Sequence, residues 1–514
     1  MQPAIVFIGF MGAGKSTALD AAVQAGVAKE TVEIDQLMEE AFDKPIQQAF
    51  ADYGEESFRA REAEVVGAVL ERVDGGAIAL GGGSILSKRV REALDRHIVI
   101  WLEIDGAEAW RRIQGTDRPL ATSEEEVARL LADRLPLYED LADAVIPMVD
   151  RDEASEAIGF AWHLSWMPPG TKMLWATSTS GAYPVYVGAG MLGATGDSDR
   201  WPLVGGRFCI TDEAVSSLYA DDLPPLSAKV EVPPGEGAKT MAEAERVLRE
   251  LAKAGMTRED HVIALGGGVV GDLAGFCAHL YQRGVRVVQV PTTMVAQADS
   301  AYGGKTGVDL PEGKNYAGAY HMPAAVVADT ETLASLPAAD LSAGFVEALK
   351  TGLLAGGRLW ERVSQVEHLD PAEMYDIVFA CARYKCAIVA ADERDGGLRN
   401  VLNLGHTVGH AIEAAGGYGR YRHGEAIGLG LLAALRLSGQ PTLHDDVEEI
   451  LRLHGLPVGL DSSLGVDAIM ELLERDKKRT RHGVGFVLLS GPGEPRIRQF
   501  VHPAKVRAAV EELY

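Results

Sequence analysis

The chain has 514 residues, of which 47% are hydrophobic and 24% are charged, a composition typical of a globular protein with two or three domains. Its 49 basic and 74 acidic residues give a formal net charge of −25, which argues against a general binder of nucleic acids or acidic membranes, because such proteins need a broad basic face. The four cysteines form no CxxC pair and are too few for a disulfide framework, so we expect buried thiols in a reducing cytosol.

The N-terminal residues lack the basic region of a signal peptide, and no apolar run along the chain is long enough to cross a bilayer. We therefore expect a cytoplasmic protein that acts on small-molecule substrates and binds neither nucleic acids nor membranes. Any anionic substrate of so acidic a protein must be held by local clusters of Lys and Arg.

The first segment alternates short apolar runs with helical patterns, which predicts a parallel α/β sheet. Its predicted buried strands are residues 4–8, 77–80 and 98–104. A Pro-Pro-Gly turn at residues 168–170 breaks the pattern, so we predict a first domain at residues 1–165 and a linker at 166–175.

Residues 176–337 again alternate strands with helices, and beyond residue 338 helical periodicity dominates. The predicted strands are residues 183–187, 207–211, 261–265, 285–290 and 325–328. We therefore predict an α/β subdomain at 176–337, followed by an all-helical subdomain at 338–514. No period of about 20 to 50 residues recurs, which excludes a repeat protein.

A P-loop motif lies between the first predicted strand and a helical pattern, with the sequence Gly9-Phe-Met-Gly12-Ala-Gly14-Lys15-Ser16-Thr17. The glycines let backbone N–H groups wrap nucleotide phosphates, Lys15 reaches the transferred phosphoryl group, and Ser16 can bind Mg²⁺. The alternative is a chance glycine-rich turn. The motif alone does not identify the phosphoryl acceptor.

Several motifs over roughly residues 1–165 resemble shikimate kinase. Besides the P-loop they are Glu33-Ile-Asp35, Gly54-Glu-Glu-Ser-Phe-Arg59-Ala-Arg61-Glu62, Leu80-Gly81-Gly82-Gly83, Asp117-Arg118-Pro119-Leu120 and Arg134-Leu-Pro-Leu-Tyr138. The resemblance implies a P-loop kinase fold, ATP with Mg²⁺ as phosphoryl donor, and Arg118 as a lid arginine that contacts ATP. The implied shikimate-binding residues are Asp35, Arg59, Gly81, Gly82, Gly83 and Arg134.

The chemistry of these residues agrees with that resemblance. Arginine forks suit the carboxylate of a small hydroxy acid, and Asp35 can accept the proton of the attacking hydroxyl. The alternative for an arginine is a solvated helix face, and because glutamates follow Arg59 and Arg61, one of the two can simply form an ion pair. Glu33 stands where the family usually has Asp, and we expect it to shift the metal geometry slightly.

A cluster of metal-ligand residue types lies in the C-terminal third. His406 and His410 are spaced i,i+4 and share one helix face, and His423 and Glu347 add two further ligand types. From spacing alone, His406 and His410 would both bind a metal. The alternative is a pair of surface or core histidines.

A glycine-rich turn at Gly266-Gly267-Gly268 follows a predicted strand and matches GxGxxG formally, but no acidic ribose partner lies about twenty residues on. The segments that follow, Asp299-Ser-Ala-Tyr-Gly-Gly-Lys305 and Gly313-Lys314-Asn315, space polar residues and lysines with glycines. This pattern indicates a pocket for a phosphorylated polyol, with a flexible solvated loop as the alternative.

Residues 171–514 as a whole resemble 3-dehydroquinate synthase. Further motifs in family order are Gly235-Glu236-Gly-Ala-Lys239, Tyr281-Gln-Arg283, Tyr384-Lys385, Asp392-Glu-Arg-Asp395-Gly-Gly-Leu-Arg399-Asn400-Val-Leu-Asn403 and Arg475-Asp-Lys477-Lys478. The resemblance implies an α/β NAD-binding subdomain, a helical metal-binding subdomain and a homodimer formed through this unit. Asp395 stands where the family often has Glu, and Ser300-Ala-Tyr302 replaces a more usual run.

The same resemblance implies the residues of the second site. NAD⁺ would contact Asp212, Glu236, Lys239, Gly266, Gly267, Gly268, Asp272, Thr292, Thr293 and Lys314. The substrate, 3-deoxy-D-arabino-heptulosonate 7-phosphate, would contact Arg283, Asp299, Lys305, Asn315, Lys350, Lys385, Arg399, Asn403, His410 and Lys477. Zinc or cobalt would bind Glu347, His406 and His423, while His410 faces the phosphate of the substrate and handles protons with Asp395.

The two resemblances together predict a bifunctional enzyme of the shikimate pathway, which leads to chorismate and the aromatic amino acids. The expected catalytic residues are Lys15, Asp35 and Arg118 in the first domain, and Lys305, Lys350, Lys385, Asp395 and His410 in the second. Two alternatives stay open: a related sugar-phosphate cyclase or polyol dehydrogenase in the second unit, and a non-catalytic pseudokinase in the first. The two predicted steps are not consecutive, so direct channelling is not implied.

Overall fold

The computed structural model describes residues 2–114, 123–196, 200–417, 419–474 and 484–514. The chain divides into two compact units. The N-terminal unit comprises Met1–Ala176 with Tyr183–Tyr186, and the C-terminal unit comprises Thr177–Ala182 with Val187–Tyr514.

The N-terminal unit is built from β-strands and flanking helices. Its strands are β1 Ile5–Ile8, β2 Thr31–Glu33, β3 Ala77–Ala79, β4 Ile98–Glu103, β5 Ala144–Pro147, β6 Lys172–Ala176 and β7 Tyr183–Gly188, of which β1 to β6 pair in parallel. Its helices are α1 Lys15–Gln24, α2 Ile34–Phe42, α3 Ile46–Arg72, α4 Lys88–Leu94, α5 Gly106–Ile113, α6 Glu124–Leu141 and α7 Arg151–Ala161.

The strand order in the N-terminal unit is β2-β3-β1-β4-β5-β6-β7, and β1 pairs in parallel with β3 and β4. The residues of β1 and β3 are all buried, as expected for strands covered on both faces by helices. The P-loop follows β1, residues 81–83 follow β3, and Asp35 follows β2. Because neighbouring parallel strands end at the same edge of a sheet, these three segments meet there.

The C-terminal unit combines β-strands with a group of helices. Its strands are β8 Arg207–Asp212, β9 Ala228–Val232, β10 His261–Gly266, β11 Arg286–Pro291, β12 Lys305–Leu310, β13 Gly313–Tyr320, β14 Ala325–Asp329, β15 Gly485–Leu489 and β16 Pro495–Phe500. Its helices are α8 Met191–Thr195, α9 Glu213–Tyr219, α10 Met241–Lys253, α11 Gly268–Leu280, α12 Ala338–Ala355, α13 Gly357–Ser364, α14 Tyr375–Ala391, α15 His406–Ala415, α16 His423–Ser438, α17 Pro441–Leu453, α18 Val466–Glu474 and α19 Pro503–Glu511.

The sheet of the C-terminal unit has the order β14-β11-β10-β8-β9, and its strands pair in parallel. A core of apolar side chains from β8, β9, β10, α10 and α11 packs on one face, including Ile210, Val262 and Leu273. The carboxyl ends of β8, β10 and β11 lie at one edge, which is where ligands bind in open α/β sheets.

Close helix contacts at glycines set the positions of the histidines. A Cβ atom on Gly430 of α16 would collide with the carbonyl oxygen of Gly405, which directly precedes α15. A Cβ atom on Gly424 would likewise collide with the carbonyl oxygen of Ala343 in α12. Only glycine permits such approaches, so the start of α16 lies directly against α12 and α15.

The strands predicted from the sequence agree with the structure to within one residue at either end. Two antiparallel ribbons, β12 with β13 and β15 with β16, are not among the predicted elements, and the second of them lies within the predicted helical subdomain. All four cysteines are buried and free, as expected. Among the described residues, no helix combines the length and hydropathy needed to span a membrane.

Candidate active sites

Glu347, His406 and His423 converge in the helical part of the C-terminal unit. The Nε2 atoms of His406 and His423 lie 3.6 Å and 3.3 Å from Oε1 of Glu347. Nδ1 of His406 lies 3.1 Å from the carbonyl oxygen of Leu404, so this nitrogen carries the proton and Nε2 keeps its lone pair. Two imidazole nitrogens and a carboxylate oxygen therefore point at one place, which is the donor set of a catalytic zinc or cobalt site.

The carboxylate of Glu347 is almost completely buried, with 1% of the residue exposed. By hydrogen-bond geometry neither of its oxygens has a partner among the described residues, although Nζ of Lys350 lies 2.6 Å from Oε2. Burial raises the pKa of Glu347, but the other effects, of which the charge of Lys350 is the largest, outweigh burial and hold the pKa well below its ordinary value. An ionised, buried carboxylate with open acceptor positions fits a bound cation.

His410 lies next to the same cluster. One nitrogen each of His406, His410 and His423 lie within 4.8 Å of one another, so a three-histidine site is a geometric alternative. His410, however, is exposed, whereas His406 is buried. The structure therefore brings four candidate ligands together, and the predicted set of Glu347, His406 and His423 is the one whose Nε2 atoms face the carboxylate.

A chain of buried charges extends from Glu347 towards the glycine-rich turn. Oδ1 of Asp299 lies 3.0 Å from Nζ of Lys385 and 3.8 Å from Nζ of Lys350. Burial raises the pKa of Asp299, but the two ammonium groups outweigh it and hold the pKa at about 2. Burial is the main cause that lowers the pKa of Lys385, which Asp299 offsets only in part. The result is a compact cluster in which the carboxylates of Glu347 and Asp299 balance the ammonium groups of Lys350 and Lys385.

Arg399 is held by the loop that precedes α15. Its guanidinium donates to the carbonyl oxygens of Glu393 at 2.6 Å and Gly303 at 2.9 Å, and the residue is 2% exposed. In the same loop Asp395 adopts a left-handed φ of 61° and forms a 2.6 Å ion pair with Nζ of Lys305. Oδ1 of Asp395 is buried and has no hydrogen-bond partner among the described residues, so it can accept a proton.

The glycine-rich turn between β10 and α11 lines a small pocket together with Asp272, Ser300 and Lys305. A Cβ atom on Gly267 would lie 2.8 Å from Cγ2 of Thr293, so the turn lies tightly against the residue after β11. Nζ of Lys239 lies 2.6 Å from Oδ2 of Asp272. Burial raises the pKa of Asp272, and Lys239 opposes this effect.

The remaining predicted cofactor residues surround this turn. The backbone N–H of Thr292 donates to the carbonyl oxygen of Gly266 at 3.0 Å, and Asp212 ends β8, next to β10, where its side chain caps α9. Glu236 lies 3.8 Å from Nζ of Lys239 and 3.7 Å from Nζ of Lys314. These contacts place the predicted NAD-binding residues in one region at the carboxyl edge of the sheet.

Lys314 and the metal cluster are joined by Glu413, which the sequence analysis does not single out. Nζ of Lys314 lies 2.8 Å from Oε1 of Glu413, and Nδ1 of His423 lies 3.2 Å from Oε2. Burial raises the pKa of Glu413, but its hydrogen bonds with His423 and Lys314 outweigh burial and lower the pKa to about 2. The available signal is spacing, because Glu413 lies seven residues after His406 on the same helix face.

In the N-terminal unit, the P-loop forms the turn between β1 and α1. Gly14 directly precedes α1 with a left-handed φ of 86°, which glycine adopts without strain. Nζ of Lys15 donates to the carbonyl oxygens of Gly9 at 3.0 Å and Phe10 at 3.1 Å, and the hydroxyl of Ser16 hydrogen-bonds with Glu33. The longer side chain of Glu33 therefore reaches the residue expected to bind Mg²⁺.

The three glycines after β3 bring the predicted acceptor residues together. A Cβ atom on Gly81 would lie 3.2 Å from Oδ1 of Asp35, and one on Gly83 would collide with the guanidinium of Arg59. Nη1 of Arg134 donates to the carbonyl oxygen of Gly82 at 3.0 Å. Asp35, Arg59 and Arg134 thus surround one glycine segment, a pocket of carboxylate and guanidinium groups for a small hydroxy acid.

Glu62 holds Arg59 in this pocket. Its Oε2 accepts from Nη1 of Arg59 at 2.5 Å, its Oε1 accepts from the hydroxyl of Ser84 at 2.8 Å, and the residue is 3% exposed. Arg61 pairs with Glu64 on the exposed face instead. Both arginines therefore form i,i+3 ion pairs, and only that of Arg59 is at the pocket.

Comparison with known proteins assigns both units. The family model for shikimate kinase matches residues 11–159, and the models for the N-terminal and C-terminal parts of 3-dehydroquinate synthase match residues 229–343 and 344–479. The 3-dehydroquinate synthase of Symbiobacterium thermophilum is 41% identical over 350 residues, which cover 64% of this chain and 98% of that protein. The chain belongs to the 3-dehydroquinate synthase family. It carries a shikimate kinase domain ahead of the synthase unit, and is thus a bifunctional enzyme of the shikimate pathway.

Other relatives agree with this assignment. The 3-dehydroquinate synthase of Methylococcus capsulatus is 42% identical over 345 residues, covering 64% of this chain and 96% of that protein. A crystal structure of 2-deoxy-scyllo-inosose synthase with carbaglucose-6-phosphate, NAD⁺ and Co²⁺ has a TM-score of 0.60 at 25% identity, covering 67% of this chain and all of that chain. The 2-epi-5-epi-valiolone synthase of Streptomyces hygroscopicus, with NAD⁺ and Zn²⁺ bound, has a TM-score of 0.55 at 26% identity, covering 64% of this chain and 96% of that chain.

Three predicted residues are not tied to these clusters. Arg118 of the kinase domain and Lys477 of the synthase unit lie outside the described residues. Arg283 is exposed, has a left-handed φ of 70°, and makes no hydrogen bond or ion pair with the described part of the chain. The backbone N–H of Asn315 donates to Oδ1 of Asp309 at 2.8 Å, and Nδ2 of Asn403 donates to the carbonyl oxygen of Asn400 at 3.0 Å.

Proposed function

We propose that the kinase domain phosphorylates shikimate with ATP, using the pocket between the P-loop and residues 81–83. Arg59 and Arg134 bind the carboxylate of shikimate, and Asp35 accepts the proton of the attacking hydroxyl at its carboxylate. Lys15, Ser16 and the P-loop amides from Gly12, Gly14 and Thr17 hold the nucleotide. When bound, Mg²⁺ neutralises charge on the transferred phosphoryl group. The expected contribution of Arg118 to ATP binding stays a prediction.

We propose that the synthase unit converts 3-deoxy-D-arabino-heptulosonate 7-phosphate to 3-dehydroquinate and releases phosphate. The observation that carries this proposal is the convergence of Glu347, His406 and His423 next to the buried lysines Lys350 and Lys385. Lys385, Arg399 and Lys305 neutralise the phosphate and carboxylate of the substrate, which an acidic protein must do locally. Arg283, Asn315 and Lys477 complete the predicted substrate set.

The cofactors of this site follow from the groups that face it. Glu347, His406 and His423 would hold Zn²⁺ or Co²⁺, which polarises a substrate oxygen when bound. Residues 266–268, with Asp272, Lys239 and Thr293, would hold NAD⁺, which accepts and returns a hydride within one turnover, so that no net redox change results. The 2-deoxy-scyllo-inosose and 2-epi-5-epi-valiolone synthases carry these two kinds of cofactor.

In the proposed reaction of the synthase unit, Asp395 and His410 carry out proton transfer. Oδ1 of Asp395 is the open acceptor beside Lys305, and the imidazole of His410 lies at the exposed rim of the metal cluster. His410 therefore holds a proton near the substrate phosphate, while Asp395 orients Lys305 through the 2.6 Å ion pair. The carboxylate of Asp299 keeps the ammonium groups of Lys350 and Lys385 in place.

The proposed assembly and location complete this account. We propose that the four predicted segments, 1–165, 166–175, 176–337 and 338–514, act as kinase domain, connection, cofactor subdomain and metal subdomain. We also propose a cytoplasmic homodimer formed through the synthase unit. The buried free thiols support a reducing compartment, and light scattering of the purified chain tests the dimer.

One experiment tests both activities in the same preparation. The full chain is incubated with the heptulosonate phosphate, NAD⁺ and Zn²⁺, and separately with shikimate and ATP, and the release of phosphate and of ADP is followed. We expect both products. Absence of phosphate release would contradict the synthase proposal, and equal ADP formation by Lys15→Ala would show that the P-loop transfers nothing.

A further inference from the structure

Glu413 lies between two functional groups that come from different parts of the synthase unit. Lys314 belongs to β13 of the ribbon beside the cofactor region, and His423 opens α16. Both contact the same carboxylate, at 2.8 Å and 3.2 Å, and Glu413 is 7% exposed. Because one oxygen of this buried carboxylate contacts Lys314 and the other contacts His423, Glu413 fixes the positions of both side chains.

We propose that Glu413 is a positioning residue that aims His423 at the metal, and that Lys314 fixes the orientation of Glu413. This inference rests on the proposed metal set, because it assumes that Nε2 of His423 is a ligand. When a metal ion is bound, the carboxylate accepts a hydrogen bond from Nδ1–H of His423, which leaves the lone pair of Nε2 for the metal on the side of Glu347. The ammonium of Lys314 can only donate, so it holds the other oxygen of Glu413 and prevents rotation.

This arrangement makes the Glu413→Gln variant informative. Lys314 requires an acceptor, so it selects the amide oxygen of the new side chain and turns the amide NH₂ towards Nδ1 of His423. An NH₂ donor stabilises the tautomer whose proton is on Nε2, which blocks the lone pair that faces Glu347. Without Lys314, the amide can flip and present its oxygen to Nδ1 again.

The measurement is the affinity of the full chain for Zn²⁺, determined by competition with a chromophoric chelator in the absence of substrate and NAD⁺. We expect Glu413→Gln to bind Zn²⁺ roughly ten- to hundredfold more weakly than the unchanged chain. The control is Glu243→Gln, a partly buried carboxylate on α10 that pairs with Arg246, and it should change affinity less than about twofold. Unchanged affinity in Glu413→Gln would overturn the proposal.

The double variant Lys314→Met/Glu413→Gln tests the role of Lys314. We expect it to bind Zn²⁺ at least about threefold more tightly than Glu413→Gln alone, because the amide is free to flip. Equal or weaker zinc binding by the double variant would overturn the assignment of Lys314.

A separate variant distinguishes failure of this inference from failure of the proposed metal site. His423→Ala should lose Zn²⁺ binding if the ligand set is right. If His423→Ala keeps its zinc, the proposed ligands are wrong. If His423→Ala loses zinc while Glu413→Gln binds normally, the ligands stand and the positioning role of Glu413 is rejected.

Discussion

His406 and His410 face each other across one turn of α15, with ring centroids 5.2 Å apart and planes at 86°. The two histidines share a helix face but not an environment. His406 is buried and directs Nε2 at Glu347, whereas His410 is exposed at the rim of the cluster. Their i,i+4 spacing on one helix therefore does not distinguish their two proposed roles, which are metal ligand for His406 and proton carrier for His410.

Lys15→Ala should abolish kinase activity and leave the synthase unchanged. Lys15 lies in the P-loop, where its ammonium is positioned by two backbone carbonyl oxygens to meet the transferred phosphoryl group. We expect the kinase kcat to fall at least about a hundredfold, because charge on that group is no longer neutralised. A coupled ADP assay measures the kinase, and phosphate release from the heptulosonate substrate is the internal control.

Glu62→Gln should weaken shikimate binding without removing a group that touches shikimate. Glu62 holds Arg59 in place and is itself fixed by Ser84, so its loss frees the guanidinium. We expect the KM for shikimate to rise about tenfold with a smaller change in kcat. The matched control is Glu64→Gln, which breaks the exposed ion pair with Arg61 and should leave KM unchanged. Equal effects of the two variants would contradict this role.

Asp299→Ala should destabilise the synthase unit. Asp299 is the carboxylate that pairs with the nearly buried Lys385, whereas Lys350 also pairs with Glu347, so removing Asp299 leaves the charge of Lys385 without a carboxylate partner. We expect a loss of about 3 to 5 kcal/mol in the free energy of unfolding, because an uncompensated buried charge is costly. Differential scanning calorimetry measures the shift in Tm, and a loss below about 1 kcal/mol would show that the lysines are solvated.

Asp143→Asn should stabilise the kinase domain at neutral pH. Oδ2 of Asp143 accepts from Val99 N at 2.8 Å, and burial raises the pKa of this carboxyl to about 6 from 3.8. The folded state binds the proton of Asp143 more tightly than the unfolded state, so ionising this buried carboxyl lowers the free energy of unfolding. This penalty is absent below the unfolded pKa and grows as the pH rises towards the folded pKa.

The neutral amide that Asp143→Asn introduces would avoid the penalty and still accept the hydrogen bond. We therefore expect a gain of about 1 to 3 kcal/mol at pH 7.5 that shrinks as the pH falls towards 4. Thermal unfolding of both proteins across this pH range measures the difference. A gain independent of pH would contradict the assignment of the raised pKa to Asp143.

The sequence predicts the parallel strands that form continuous apolar runs, as in Ile98–Glu103 and Ala325–Asp329. It misses four further parallel strands, β2, β5, β6 and β9. It does not predict the ribbon of β12 and β13, whose alternation is interrupted by glycines at 307, 313 and 318. Ribbons of this kind depend on contacts between strands that no local pattern encodes.

The residues of the candidate sites also divide into those that local motifs predict and those that only tertiary contacts bring together. The P-loop and the histidine motif are local, so their positions follow from spacing. The meeting of Glu347 with His423 depends instead on the close approach of α12 and α16 at Gly424. The role of Glu62 emerges only from tertiary contacts, because a glutamate three residues after an arginine is most often a solvated partner. For Glu413 the sequence offers only its seven-residue spacing from His406.

Metal analysis of two single variants tests the central claim most directly. His406→Ala and His410→Ala are purified in parallel, loaded with Zn²⁺, dialysed, and measured by inductively coupled plasma mass spectrometry. The account predicts that His406→Ala loses its zinc, whereas His410→Ala keeps one zinc per chain and loses synthase rate. Loss of zinc from His410→Ala with retention in His406→Ala would contradict the proposed ligand set.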